Sequence, residues 1–154
     1  MRLIALALLA SLAAASAAHA DPAYEAGSAM GACLAAVIDK APVVDMAQGG
    51  VAVHRETQPN LCTVTATAGD PSLVRKAVLD AIAQRPERFT PAKTAWAPGR
   101  LASRETFCNA PGRRALNVVV ETSKPGAPVV LKATVIEGLT RDQRCDLDMG
   151  LQRF

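Results

Sequence analysis

Four cysteines are the residues of this sequence whose type and spacing most directly indicate chemistry: Cys33, Cys62, Cys108 and Cys145. None of the spacings is the C-x-x-C of thioredoxin-like redox pairs and zinc knuckles. An even number of cysteines in a small exported domain is typical of a disulfide framework. The sequence therefore predicts two disulfide bridges, and no cysteine remains as a nucleophile or a metal ligand.

Histidine is the usual general base and metal ligand, and the chain has two. His19 lies in an N-terminal segment that we expect to be cleaved, which leaves His54. His54 stands beside Arg55 and Glu56 on an expected strand, and no G-x-S-x-G motif accompanies it. We interpret His54 as a solvated surface residue and predict no catalytic residue and no zinc site.

Carboxylates are the remaining candidates for catalysis or metal binding. The acidic residues between 142 and 148 alternate with arginine and lack the D-x-[DN]-x-[DN]-G pattern of a calcium loop, so we interpret them as a solvated turn. Paired catalytic acids have no sequence signature, so Glu105, Glu121 and Glu137 stay open as acids of a hydrolase. Neither G-x-x-x-x-G-K nor G-x-G-x-x-G occurs, and we predict no cofactor.

Positive charge is concentrated after Arg88, where ten basic residues accompany six acidic ones. Three of these basic residues, Arg104, Arg113 and Lys132, are predicted to contribute to a partner-binding face, because guanidinium and ammonium groups bind anionic partners. Trp96, the only tryptophan, is a further candidate for this face. The alternative for Trp96 is a core or loop anchor, and for the charges an ordinary solvated sheet face.

The first twenty residues have the order of a secretory signal peptide: Arg2, then the apolar run 3–12, then Ala18-His19-Ala20. The apolar run is shorter than the roughly 20 residues that a membrane-spanning helix needs. We therefore predict a cleavable signal peptide at 1–20, a single domain at 21–154 and no membrane span after cleavage. The Ala- and Arg-rich composition is typical of bacteria, so we expect a periplasmic or secreted protein.

Composition argues against a nucleic-acid partner. Removing Arg2 from the seventeen basic residues leaves sixteen against fourteen acids, a formal charge of only +2. Five aromatic residues are too few for the stacking platforms that bind single strands.

Apolar spacing predicts two helices, one within 22–40 and one from Asp70-Pro71 to just before Pro86. A loop is expected over 41–50. Alternation and turn residues predict strands at 51–56, 61–67, 101–108, 115–122 and 128–137, with a weak one at 93–96. The expected fold is α+β, with two helices packed on one face of an antiparallel β-sheet, in the order α-β-β-α-β-β-β.

This element order suggests a disulfide connectivity. In a meander of three strands, the ends of the first and third strands lie at the same edge, which brings Cys108 near Cys145. Cys33 of the first helix then pairs with Cys62 of the hairpin. Each bridge is expected to stabilise the domain by about 3 to 4 kcal/mol.

These features favour a non-catalytic binding or accessory domain of the bacterial envelope. Its expected partner is an envelope protein or an anionic envelope component, bound through the exposed face of the sheet. Two alternatives stay open: a small exported hydrolase with acidic catalytic residues, and a structural or assembly protein.

Overall fold

The structure is a computed structural model that describes residues 21–92, 99–109, 112–113, 115–139 and 145–146. In this part of the chain the elements are α1 (Pro22–Ile38), β1 (Met46–Gln48), β2 (Val51–Glu56), β3 (Asn60–Ala66), α2 (Pro71–Ala83), β4 (Thr90–Pro91), β5 (Leu101–Cys108), β6 (Leu116–Ser123) and β7 (Leu131–Glu137). The strands form one antiparallel sheet in the order β1-β2-β3-β7-β6-β5-β4. The predicted α+β fold is confirmed.

Both helices begin with the same local chemistry. Asp21 and Asp70 are the N-caps, and a proline follows each at the first helical position. The Asp70 carboxylate accepts hydrogen bonds from the Ser72 hydroxyl and from the Ser72 and Leu73 backbone amides, and together these lower its pKa. Capping by aspartate satisfies amides that would otherwise have no intrahelical partner.

The two helices run in the same direction on the same face of the sheet. Pro22, at the start of α1, adjoins Gly69, just before α2, and Gly27 adjoins Ala77. At the far end, Arg85 donates to the Asp39 carboxylate at 3.0 Å. The start, middle and end of one helix therefore meet the corresponding parts of the other.

The core lies between these helices and the face of the sheet that they cover. Residues alternate across a strand, so only every second side chain of a strand enters this core. Its largest fully buried side chains are Met30, Leu34, Val37, Val64, Val74, Val78, Leu116, Val118, Val120, Leu131 and Val135.

Two short strands at the edges of the sheet were not predicted in these positions. β1 lies inside the predicted loop 41–50, and all three of its side chains are exposed, so it lacks the alternation by which a strand is recognised. β4 has two exposed residues opposite Cys108 and Phe107. The weak strand predicted at 93–96 lies outside the described residues.

Both predicted disulfides are confirmed. Cys33 in α1 is bonded to Cys62 in β3, with their Cα atoms 5.2 Å apart. Cys108 at the end of β5 is bonded to Cys145, with a Cα separation of 5.7 Å. The first bridge joins the helical layer to the sheet, and the second holds Cys145 against the end of β5.

Candidate functional site

Neither α1 nor α2 covers the second face of the sheet, and we call it the open face. The register of the strands places a mixture of threonine, aliphatic and charged side chains on it. These residues are Ala52, His54, Glu56, Leu61, Thr63, Thr65, Arg104, Thr106, Cys108, Asn117, Val119, Glu121, Lys132, Thr134 and Ile136.

The open face is partly covered at one end. Cys108 and Asn117 are opposite each other on β5 and β6, yet both are buried. Cys145 is bonded to Cys108, and the neighbouring Asp146 is also buried. The disulfide therefore brings this C-terminal pair of residues over that end, and the accessible part of the open face lies toward the other end.

Arg104 and Lys132, which were predicted from the sequence to belong to a partner-binding face, lie in one row of the accessible part. Arg104 is opposite Glu121 on β6, and Glu121 is opposite Lys132 on β7. The Arg104 Nε atom is 3.4 Å from Glu121 Oε1. Lys132 is exposed and forms no ion pair with any described residue. Two strand spacings, about 10 Å, separate the backbone positions of Arg104 and Lys132.

Two further cations adjoin this row where β5 begins and β6 ends. Arg100 and Lys124 flank the Leu101–Ser123 pair, and the Lys124 backbone amide donates to the Arg100 carbonyl at 3.1 Å. Both residues are exposed, and neither forms an ion pair with a described residue. We call Arg100, Arg104, Lys124 and Lys132 the basic corner; Glu121 is the carboxylate set among them.

Arg113 lies apart from the basic corner. Its Nε atom donates to Glu137 Oε1 at 2.8 Å, and its Nη1 atom donates to the Ile38 carbonyl at 3.3 Å. Glu137 also accepts from Lys40 and Asn60. Burial raises the pKa of Glu137, but the hydrogen bonds from Arg113 and Lys40 outweigh it and the pKa is lowered. Arg113 thus fastens the end of α1 to β7.

The three acids that stayed open for hydrolysis are each paired with an arginine. Glu137 is bound by Arg113 and Glu121 is near Arg104, as described above. On the helix-covered face, Arg75 of α2 donates to both oxygens of Glu105, at 2.8 and 2.6 Å. Glu121 lies on the open face, whereas Glu105 and Glu137 lie on the other face, two strands apart and at different levels along the strands. The three carboxylates therefore do not form a catalytic pair with one another.

His54 is exposed, as the sequence indicated, but it has two acidic neighbours. Its Nδ1 atom is 2.6 Å from Asp45 Oδ2, and its Nε2 atom is 3.3 Å from Glu56 Oε1. The Asp45 carboxylate also accepts the Arg55 backbone amide at 2.7 Å. The hydrogen bond and charge of Asp45, followed by a smaller effect of Glu56, raise the pKa of His54. Asp45 thereby connects the start of β1 to β2.

A pocket of about 440 Å³ lies beside the β2–β3 turn. It is lined by Thr57, Gln58, Pro59, Asn60, Glu137 and Leu139. Its one carboxylate, Glu137, already receives four hydrogen bonds from Arg113, Lys40 and Asn60. The pocket therefore offers a ligand mainly amide, hydroxyl and aliphatic groups.

Among the described residues no cysteine is free, and no group of three or more His, Cys, Asp or Glu side chains is arranged to hold a metal ion. No helix in this part of the chain is long and apolar enough to cross a membrane. Trp96, the fourth residue of the predicted face, lies outside the described residues. No protein-family model, curated protein or solved structure matches this chain.

Proposed function

We propose that this chain is an exported, non-catalytic binding domain of the bacterial envelope, and that its basic corner binds an anionic envelope component. The observation that carries the proposal is the excess of positive charge at this corner. Four cations and a single carboxylate lie there, and three of the cations, Arg100, Lys124 and Lys132, have no acidic partner among the described residues.

The chemistry of the corner suits phosphate or carboxylate groups carried by a surface or a polymer. Arginine binds such groups through a planar fork of donors, and lysine binds them as a compact point charge. The cations are spread over adjacent strands instead of converging in a pocket. An extended array of anions therefore matches them better than one small ion.

Export is supported by the N-terminal sequence and by the disulfides. Residues 1–20 have the order of a signal peptide, and the expected cut leaves Asp21, the N-cap of α1, as the first residue. Both disulfides would persist in an oxidising compartment such as the periplasm.

The test measures binding of the protein purified from the periplasm to two anionic probes: vesicles containing phosphatidylglycerol, and soluble inorganic polyphosphate. Each cation near an anionic surface contributes about 1 kcal/mol, so the Lys124→Gln/Lys132→Gln double variant should bind about 30-fold more weakly. Binding should also weaken as salt is added. The probe that binds identifies whether the anion belongs to a lipid or to a polymer.

The matched controls are Lys76→Gln and vesicles of phosphatidylcholine alone. Lys76 is an exposed lysine on α2, on the helix side of the molecule, paired with Asp80. Its substitution removes the same charge but should leave binding nearly unchanged. If Lys76→Gln weakens binding as much as Lys132→Gln alone, net charge and not the corner is responsible. Absence of binding to both anionic probes at physiological salt would overturn the proposal.

A further inference from the structure

A narrow apolar groove separates α1 from the edge strand β1, on the side of the molecule away from the basic corner. Ala29 and Ala32 of α1 form one wall, Met46 forms the other, and Val51 and Val53 lie between them. The groove encloses about 110 Å³. This space accommodates one small aliphatic side chain, because a protein cavity of roughly 150 Å³ accepts a benzene molecule.

Within the part of the chain that the structure describes, no strand pairs with the outer edge of β1 beside this groove. A two-residue glycine turn joins Gln48 to Val51, so this pair exchanges both of its backbone hydrogen bonds. The next pair, Ala47 and Ala52, is then a non-hydrogen-bonded one. The Ala47 N–H and C=O consequently point outward from the edge of the sheet, and residues 44–49 are all exposed.

The groove is also acidic. Residues 22–38 and 41–53 include no lysine or arginine. Glu25 lines the groove and forms no ion pair with a described residue. Asp45 lies at the start of β1, held by His54 and the Arg55 amide. A cationic group near the groove would therefore meet the carboxylate of Glu25, in contrast to the basic corner.

We propose that this edge binds an extended polypeptide segment with aliphatic and basic side chains. The segment pairs with the outward N–H and C=O of Ala47, as an additional strand of the sheet. Alternate side chains of a strand point to opposite faces, so the neighbours of the paired residue point toward the helix side and one enters the groove. A lysine or arginine farther along the segment lies near Glu25. This site is independent of the basic corner.

The first test measures fluorescence anisotropy of a labelled peptide, Lys-Thr-Val-Thr-Val-Thr-Lys, with the full exported protein. When its central threonine pairs with Ala47, alternation places both valines and both lysines on the helix side. Ala47→Pro removes only the outward amide, because proline at an edge position with its nitrogen toward solvent is tolerated in a sheet. Ala47→Val keeps that amide and is the matched control. We expect binding to be at least tenfold weaker in Ala47→Pro and nearly unchanged in Ala47→Val.

The second test examines the groove and its charge without changing β1. Ala32→Leu fills the groove from the exposed side of α1 and should weaken binding by a similar factor. Glu25→Gln should remove the preference for the lysine peptide over its counterpart Glu-Thr-Val-Thr-Val-Thr-Glu. These two variants test whether the groove and its charge contribute to peptide binding, even if Ala47→Pro does not fold.

Three results would overturn the proposal. The first is equal binding by Ala47→Pro and Ala47→Val, with both variants folded. The second is equal affinity of the wild-type protein for the lysine and glutamate peptides. The third is no peptide binding together with concentration-dependent self-association that Ala47→Pro abolishes, since the occupant of the edge would then be a second copy of this chain.

Discussion

At the scale of single residues, the surroundings of His54 determine how it titrates. Asp45 precedes β1, Glu56 lies on β2, and the neutral Thr63 faces His54 from β3. No described lysine or arginine pairs with either carboxylate. The protonated imidazole is therefore stabilised from two sides, and its pKa lies above 6.5.

This geometry predicts a pH-dependent contribution to stability. Since the folded pKa of His54 is raised, its stabilising effect is fully present below about pH 6.5 and is lost as pH rises through the folded value. The pKa of Asp45 is lowered, chiefly by the Arg55 amide and then by His54, so its contribution is lost instead as pH falls through that lowered value. The stability difference between wild type and His54→Gln should therefore shrink as pH is raised.

Urea unfolding at several pH values measures this difference, and NMR titration of the imidazole measures the pKa directly. His54 is the only histidine after residue 20, so its signal is unambiguous in the cleaved protein. Asp45→Asn should return the pKa toward its ordinary value, and Glu56→Gln should have a smaller effect. A pKa at or below 6.5 in the wild-type protein would contradict the hydrogen-bonded geometry.

At the scale of elements, the close approach of the two helices depends on Gly27. A Cβ atom added there would lie 3.2 Å from both the Cβ and the carbonyl oxygen of Ala77. Such contacts are tighter than most Cβ atoms make, so α1 and α2 would have to separate by a few tenths of an ångström. At Gly31, in the same helix, an added Cβ would meet nothing within 4 Å.

These two glycines form a matched pair of stability tests. Replacing glycine by alanine inside a helix normally stabilises by about 0.5 to 1 kcal/mol, and we expect this gain for Gly31→Ala. For Gly27→Ala the crowding against Ala77 should cost about 1 to 3 kcal/mol and so exceed that gain. Chemical denaturation gives both values. An equal increase in stability for the two variants would show that the helices are less closely packed than described.

At the scale of the whole molecule, the disulfides connect parts that are distant in the sequence. Cys33 and Cys62 are 29 residues apart, and Cys108 and Cys145 are 37 apart. All four cysteines are buried. The first bridge links α1 to β3 in the sheet, whereas the second holds Cys145 over the open face.

Removal of the Cys33–Cys62 bridge should lower the free energy of unfolding by about 3 to 4 kcal/mol, because a loop of this length is no longer closed in the unfolded chain. The Cys33→Ala/Cys62→Ala double variant measures this in urea. The Cys108→Ala/Cys145→Ala variant removes a bridge that closes a loop of similar length, so it should lose a similar amount of stability while also exposing Asn117. Peptide mapping without reduction checks the pairing, and a linked Cys33–Cys145 peptide would contradict it.

The sequence by itself determined the elements whose residues carry a local signal. Aspartate followed by proline starts both helices, and apolar periodicity marks the helix faces that enter the core. The long strands alternate clearly enough to be recognised, and the order of the elements was sufficient to pair all four cysteines. The excess of basic residues after Arg88 also indicated the half of the chain in which the basic corner lies.

Only the tertiary structure decided which of these residues come together. Register places Arg104 and Lys132 in one row with Glu121, whereas Arg113 turns to Glu137 and the end of α1. The edge strand β1 has no alternation of its own and exists through pairing with β2. The distribution of charge and hydropathy along the chain can be read directly from the sequence. Contacts between strands, however, join residues that are far apart in the sequence, and local sequence patterns do not encode those pairings.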